Sequence, residues 1–335
     1  MTSERPHRIL WITQRHPPLT GGMAVSSARQ VEGLRQRGLA LDVTAFTEPD
    51  IGPAPRQIPR DNGADYHFSR KASPAAISQQ VWWLAAELHR QRPFTRVVGF
   101  GAGRAGHLSV TLAAWLGCPS LVQVRGNDFE KDWFDPQRGA WVREAMSRAT
   151  TVASVAPDLV RRIQALYPDR DVRYLPNGVD VTTWEPLAED RALRAALRRD
   201  PALADRTVIG LFGELKAKKG LPFWLAALRE AGLQDRVGLL LVGSRIEETT
   251  LRLLDDPTLS PPSLRLPFSD RDRMPGLYAA CDFVALPSFS EGLPNVLLEA
   301  MACGIPPIVS DAGAMPDVVE PGRTGFAFPA GDRKA

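Results

Sequence analysis

The sequence predicts an α/β protein made of two Rossmann-like domains, each a parallel sheet covered by helices. Three observations carry this. Short apolar runs alternate with helical patterns almost throughout, and strands followed by helices imply parallel sheets buried on both faces. After YLPNGVD (174–180) the pattern weakens into the charged helical stretch EDRALRAALRRD and then restarts, which marks a second unit. The length of 335 residues also exceeds one ordinary domain and fits two. The expected division is 1–175 and 176–335.

In the first unit HRILWIT (7–13) and LALDVTAF (39–46) read as strands, with a helix over Ala24–Arg37 between them. TRVVGF (95–100), PSLVQVR (119–125) and TTVASV (150–155) are further strands, separated by helices around 107–116 and 139–148. The polar, Pro-rich stretch 47–65 reads as a surface excursion. In the second unit the strands are TVIGLFG (207–213), VGLLLVG (237–243), SLRLPF (263–268), DFVALP (282–287) and IPPIVS (305–310), with GFAFP close to the last residue. No helix follows GFAFP, so the expectation is a chain that lacks a closing helix.

Composition narrows the function classes. An apolar fraction of 44% and a charged fraction of 24% belong to a globular protein. No apolar run approaches the roughly 20 residues of a membrane span, and the opening MTSERPHRILWIT lacks the apolar core of a secretory leader. Cys118, Cys281 and Cys303 are odd in number and set in apolar surroundings, which predicts reduced, buried thiols. The five histidines show no ligand spacing. A cytoplasmic protein without structural metal is expected. Residues 1–175 carry +7 and the remainder −4. That asymmetry is either uneven surface charge or a first unit that faces something anionic, such as a phosphorylated acceptor or the inner membrane surface. Nucleic acid is disfavoured, because no basic stripe interleaves with aromatics.

Three segments carry the chemistry. In SEGLPNVLLEAMACG (290–304) a strand ends in a short loop and enters a helix with Pro294 near its first position. The amides of Gly292 and Leu293 then lie by the positive end of a helix dipole, where phosphate binds. Glu291 precedes the helix and Glu299 lies inside it, about 8–10 Å on, so the two carboxylates can serve opposite ends of one extended ligand. A helix-surface Glu299 and a dipole-stabilised Glu291 are the plainer alternative. In GELKAKKG (213–220) the lysines Lys216, Lys218 and Lys219 stand at the mouth of a strand and can neutralise a diphosphate leaving group; a solvated basic turn is the alternative. In TGGM (20–23) the glycines permit close backbone approach at the carboxyl end of the first strand.

These segments, with LVGS (241–244), LPNGVD and SDAGAMPDVVEPGRTGF (310–326), resemble in order and spacing the retaining family 4 glycosyltransferases of the GT-B fold. The resemblance implies two facing Rossmann-like domains, the C-terminal one holding a nucleotide-diphosphate sugar and the N-terminal one a glycan or lipid-linked acceptor. It implies that Glu299 binds ribose hydroxyls and that Glu291 contacts the donor sugar. Lys219, Lys216 and the backbone from Gly292 through Leu293 and Pro294 to Asn295 would hold the diphosphate, with Gly21 and Gly22 closing over it. No cofactor or metal is implied beyond the nucleotide sugar, and no Asp-x-Asp pair falls within the proposed donor loops.

The sequence departs from the family in two places. Glu214 stands where the family often has Arg, with Lys216 or Lys218 as substitutes. Arg125 stands where His is common, so Arg125 or Asp128 is expected to contact the sugar. GAGRAG (101–106) also satisfies the dinucleotide pattern GxGxxG. It is not the first βα turn, however, and Asp128 lies more than about 20 residues on. A dehydrogenase, a GT-B epimerase and a catalytically weak sugar-nucleotide binder remain as alternatives to transfer.

Overall fold

The computed structural model describes residues 7–48, 54–69, 71, 73–243 and 246–334. Two compact units divide the chain, Met1–Asn177 and Gly178–Ala335.

Eight strands form the sheet of the first unit: β1 (Arg8–Thr13), β2 (Ala40–Glu48), β3 (Arg56–Arg60), β4 (Gly63–Ser69), β5 (Arg96–Phe100), β6 (Ser120–Val124), β7 (Thr151–Ser154) and β8 (Asp171–Tyr174). Their order is β3-β4-β2-β1-β5-β6-β7-β8, parallel everywhere except between β3 and β4. β1 shows why the sheet is covered on both sides. Its period-two alternation sends Ile9 and Trp11 toward one core, with Val31 of the helix Gly22–Gln36. Leu10 and Ile12 go to the other, with residues of the helices Pro74–Gln91 and Arg104–Leu116.

The stretch 47–65, expected as a surface excursion, is exposed or half-buried over 54–63, but it is ordered into strands and ends in the buried Ala64 and Asp65. Arg56–Arg60 and Gly63–Ser69 form a hairpin, and every residue of β4 after Gly63 is buried. The strand was hidden because only one of its two buried faces, Ala64, Tyr66 and Phe68, is apolar, while Asp65, His67 and Ser69 make the other polar. Asp65, 1% exposed, is held by Arg35 at 2.8 Å and Arg60 at 2.7 Å. Burial pushes its carboxyl up, but the two guanidinium groups outweigh this and hold it below the usual range. His67 pairs with Thr47 at 2.5 Å. Pro59 is tolerated because β3 is the sheet edge. The helix Pro74–Gln91 also escaped the sequence reading, although Ser73 caps it by accepting from the Ala76 amide and Pro74 opens it.

His16 is buried beside Ser27, which also accepts from the Trp11 indole. Burial, outweighing the attraction of Asp65, lowers its pKa from 6.5 to about 4. Between these values the unfolded chain binds the proton and the native one does not, so stability falls as pH falls. Thermal melts from pH 7 to 4 should show a decline that is shallower in His16→Gln, the difference reaching about 3 kcal/mol at the acid end. Parallel curves would show that His16 titrates alike in both states.

The second unit holds β9 (Thr207–Phe212), β10 (Val237–Val242), β11 (Ser263–Leu266), β12 (Phe283–Leu286), β13 (Pro307–Ser310) and β14 (Phe326–Phe328), all parallel. The order is β11-β10-β9-β12-β13-β14. The strand order reverses between β9 and β12, and ligands in such sheets bind outside the carboxyl ends at that point. Leu221, Leu225 and Leu228 of the helix Leu221–Glu230 pack on Ile209, Leu211, Leu239 and Leu241. Among the described residues no helix is long and apolar enough to cross a membrane.

Candidate active site

In the second unit the lysine loop leaves β9 and the SEGLP loop leaves β12, so adjacent strands deliver both to one sheet end. The Phe289 amide donates to the Lys218 carbonyl at 2.9 Å. Gly220, at φ +75°, closes the lysine loop, and a Cβ there would lie 1.8 Å from the Pro287 carbonyl oxygen. Only glycine allows that approach. Across the joined loops the Lys219 ammonium pairs with Oε1 of Glu291, which also accepts from the Ser288 hydroxyl at 3.1 Å. A third loop, after β13, backs the second. The Ala314 amide donates to the Gly292 carbonyl at 2.8 Å, and a Cβ on Gly313 would meet the Glu291 and Gly292 carbonyl oxygens at 2.3 and 2.5 Å.

The helix begins at Asn295 and runs to Ala302, with Pro294 as the residue before its first turn rather than within it. Gly292 and Leu293 lie in the entering loop, and the first turn carries no acidic side chain. Glu299 is 7% exposed, which removes the helix-surface alternative. Its Oε2 accepts from the Tyr278 hydroxyl at 2.9 Å. Tyr278 is fully buried against Phe212 and Trp184. Burial, and then the Glu299 carboxylate, push its pKa well up, so the phenol stays protonated and donates. Tyr278 and Ser288 thus orient the two carboxylates. Tyr278 was not legible in the sequence, because it meets Glu299 only through the fold; Ser288 was passed over although it stands three residues before Glu291 in the same loop.

The charge of the lysine loop is smaller than three cations suggest. Lys216 pairs with Glu214 at 2.5 Å, both side chains well exposed. Such a surface pair is worth about 0–1 kcal/mol, so an incoming phosphate can displace Glu214. Ser244 of LVGS lies outside the described residues; Gly243 before it packs its Cα side against the Gly213 carbonyl.

In the first unit Gly21 precedes the helix Gly22–Gln36 at φ +109°. Asp128 joins two loops: its Oδ2 accepts from the Ala102 amide at 2.7 Å and its Oδ1 from the Arg125 amide at 2.8 Å. The Arg125 guanidinium lies over the Phe100 ring and donates to Asn177. Burial pushes the Asp128 carboxyl up and brings Arg125 down to about 10, which leaves the arginine charged at neutral pH. Asp128 also lines a cavity of about 510 Å³ with Met23, Gly101, Arg104, Lys131 and Arg138. In GAGRAG the last glycine serves packing, since a Cβ on Gly106 would meet the Gly101 carbonyl at 2.9 Å and Val122 at 3.2 Å, and Gly101 takes a φ of +115°.

Two parallel-sheet Rossmann-like units with loops gathered in this way define the GT-B architecture. Sucrose-phosphate synthase from Thermosynechococcus elongatus superimposes with a TM-score of 0.80 at 20% identity, over 98% of this chain and 87% of that one. Anabaena HepE in complex with UDP-glucose superimposes at 0.74 and 19%, over 98% and 86%. The profile of the glycosyl transferases group 1 matches residues 206–335, and that of the glycosyl transferase 4-like domain matches 21–178. The alpha-maltose-1-phosphate synthase of Mycolicibacterium smegmatis is 31% identical over 98% of this chain and 86% of its own length. The chain belongs to this family of GT-B glycosyltransferases, and the dehydrogenase reading of GAGRAG falls.

Proposed function

We propose that the protein is a retaining, metal-independent glycosyltransferase that moves a sugar from a nucleotide-diphosphate donor to a glycan or lipid-linked acceptor. The observation that carries this is the junction at the β9/β12 switch point. There a lysine, a helix N-terminus and two oriented carboxylates occupy one sheet end. In this reading Glu299 accepts from the ribose hydroxyls. Lys219, Lys216 and the backbone from Gly292 to Asn295 take the diphosphate, where the helix end favours negative charge, and Glu291 meets the sugar. The second unit is the donor domain and the first the acceptor domain.

The chemistry needs little covalent help. The acceptor hydroxyl attacks the anomeric carbon on the face the diphosphate leaves, and the departing phosphate oxygen takes its proton. The protein positions the reactants and stabilises the charge growing on the leaving group. A peripheral contact with an anionic membrane surface belongs to the same reading and rests on the +7 of residues 1–175.

The direct test is a thermal-shift screen with UDP, GDP, ADP and dTDP. The matched nucleotide at 100 times its Kd stabilises the native state by about 2.7 kcal/mol. Turnover with that donor should survive EDTA. The pair Asp270 and Asp272, in the loop after β11, is the acidic site whose use of Mg²⁺ or Mn²⁺ this would expose. Activity abolished by EDTA and restored by either ion would overturn the metal-independent mechanism; no stabilisation by any of the four would overturn the donor assignment.

A further inference from the structure

The cavity of the first unit holds an unusual arginine. Arg104 is the first residue of the helix Arg104–Leu116, whose first turn has no acidic side chain and whose cap, Gly103, offers no side-chain oxygen. A cation at the positive end of a helix dipole has the wrong sign for stability. Arg104 nevertheless sits there partly buried, with its Nε shielded from solvent and without a hydrogen-bond partner. Among the described residues no carboxylate pairs with it. Its guanidinium rests over the Trp141 ring at 5.4 Å, which fixes its plane. Burial and the neighbouring Arg138 both press its pKa down.

The rest of the cavity adds to the same imbalance. Arg15, Lys131 and Arg138 line it beside Arg104, against Asp128 and Asp132. Both oxygens of Asp128 are taken by backbone amides. Asp132 meets Arg138 at 3.2 Å, an open pair with Arg138 more than half exposed. One carboxylate is therefore available to four cations, next to a helix N-terminus at the carboxyl ends of β1, β5 and β6. An N–H shielded from solvent without an acceptor is costly, and an anionic ligand on the Arg104 guanidinium would supply one.

We propose that this cavity is the acceptor subsite and that it recognises a phosphomonoester on the acceptor, held by Arg104 and Arg138 at the start of the helix Arg104–Leu116, with Lys131 at the rim. Two or more cations and a helix end suit a dianion better than a single carboxylate. The inference rests on the transferase reading only for the word acceptor; the anion site stands on its own geometry.

The test is calorimetric titration with inorganic phosphate, glucose 6-phosphate and glucose. Each is added to wild type, Arg104→Gln and Arg138→Gln with a saturating nucleoside diphosphate present to fill the second unit. Wild type should bind both phosphates and glucose at least tenfold more weakly. Each substitution should weaken phosphate binding roughly tenfold or more and leave nucleotide binding unchanged. Ligand-free Arg104→Gln should melt no lower than wild type, since a misplaced cation is gone. Sedimentation with vesicles containing phosphatidic acid, a lipid phosphomonoester, against phosphatidylcholine vesicles, separates the sources. Binding to phosphatidic acid vesicles that requires Arg104 places the phosphate on a lipid, and binding to glucose 6-phosphate alone places it on a soluble sugar. Phosphate affinity indifferent to both substitutions, or glucose bound as well as glucose 6-phosphate, would overturn the proposal. Failure of nucleotides to bind while phosphate binding still requires Arg104 would overturn the donor assignment alone.

Discussion

Lys219→Ala should lower kcat roughly 100- to 1000-fold, the usual cost of removing one preorganised group that stabilises transition-state charge. The αL turn at Gly220 and the pairing with Glu291 hold the ammonium in the loop after β9. The pairing makes the companion substitution behave differently. In the free protein Glu291 neutralises Lys219, so Glu291→Ala releases the ammonium to a phosphate. Its affinity for the matched nucleoside diphosphate should therefore be unchanged or tighter, while turnover falls because the contact to the sugar in transit is lost. Calorimetry beside a turnover assay separates the two. An equal loss of nucleotide affinity in both variants would make the pair a latch between loops and not a donor-binding group.

Glu299→Ala should weaken nucleotide binding by roughly 10- to 150-fold, the worth of charge-assisted bonds to the ribose hydroxyls at about 1.5–3 kcal/mol. It also leaves the Tyr278 hydroxyl buried without its acceptor, which costs about 1–3 kcal/mol of stability. Glu299→Gln keeps an oxygen for Tyr278 and removes the charge, so it should melt close to wild type and still bind nucleotide poorly. Tyr278→Phe keeps the packing on Phe212 and Trp184 and frees the carboxylate to turn. A severalfold loss of affinity is expected there. Glu299→Gln binding as wild type does would reduce Glu299 to a core hydrogen-bond acceptor.

The second unit was legible because its central strands are apolar. The runs Thr207–Phe212 and Val237–Val242 are buried on both faces, and such strands announce themselves by composition. Lys219, Gly292 and Glu299 were legible because local devices place them: a lysine after a strand, glycine in a tight loop, a carboxylate at fixed helical spacing. The β3–β4 hairpin was not, since Asp65 and His67 are buried polar residues whose partners come from elsewhere in the chain. Arg104 was read only as part of a glycine pattern, because its lack of a partner is a property of the folded cavity.

The sequence by itself determined two parallel α/β units, the β-strand and helix that flank the lysine loop and the SEGLP loop, and the family those loops resemble. Period-two and helical alternation, glycine at turns and the order of motifs are local properties and need no partner. Tertiary structure alone decided that Lys219 pairs with Glu291, that Tyr278 orients Glu299 and that Asp128 joins two backbone amides. It also decided that four cations meet in one cavity with a single available carboxylate. Those are pairings between residues up to tens of positions apart, fixed by strand order and by the burial that makes each unpaired charge costly.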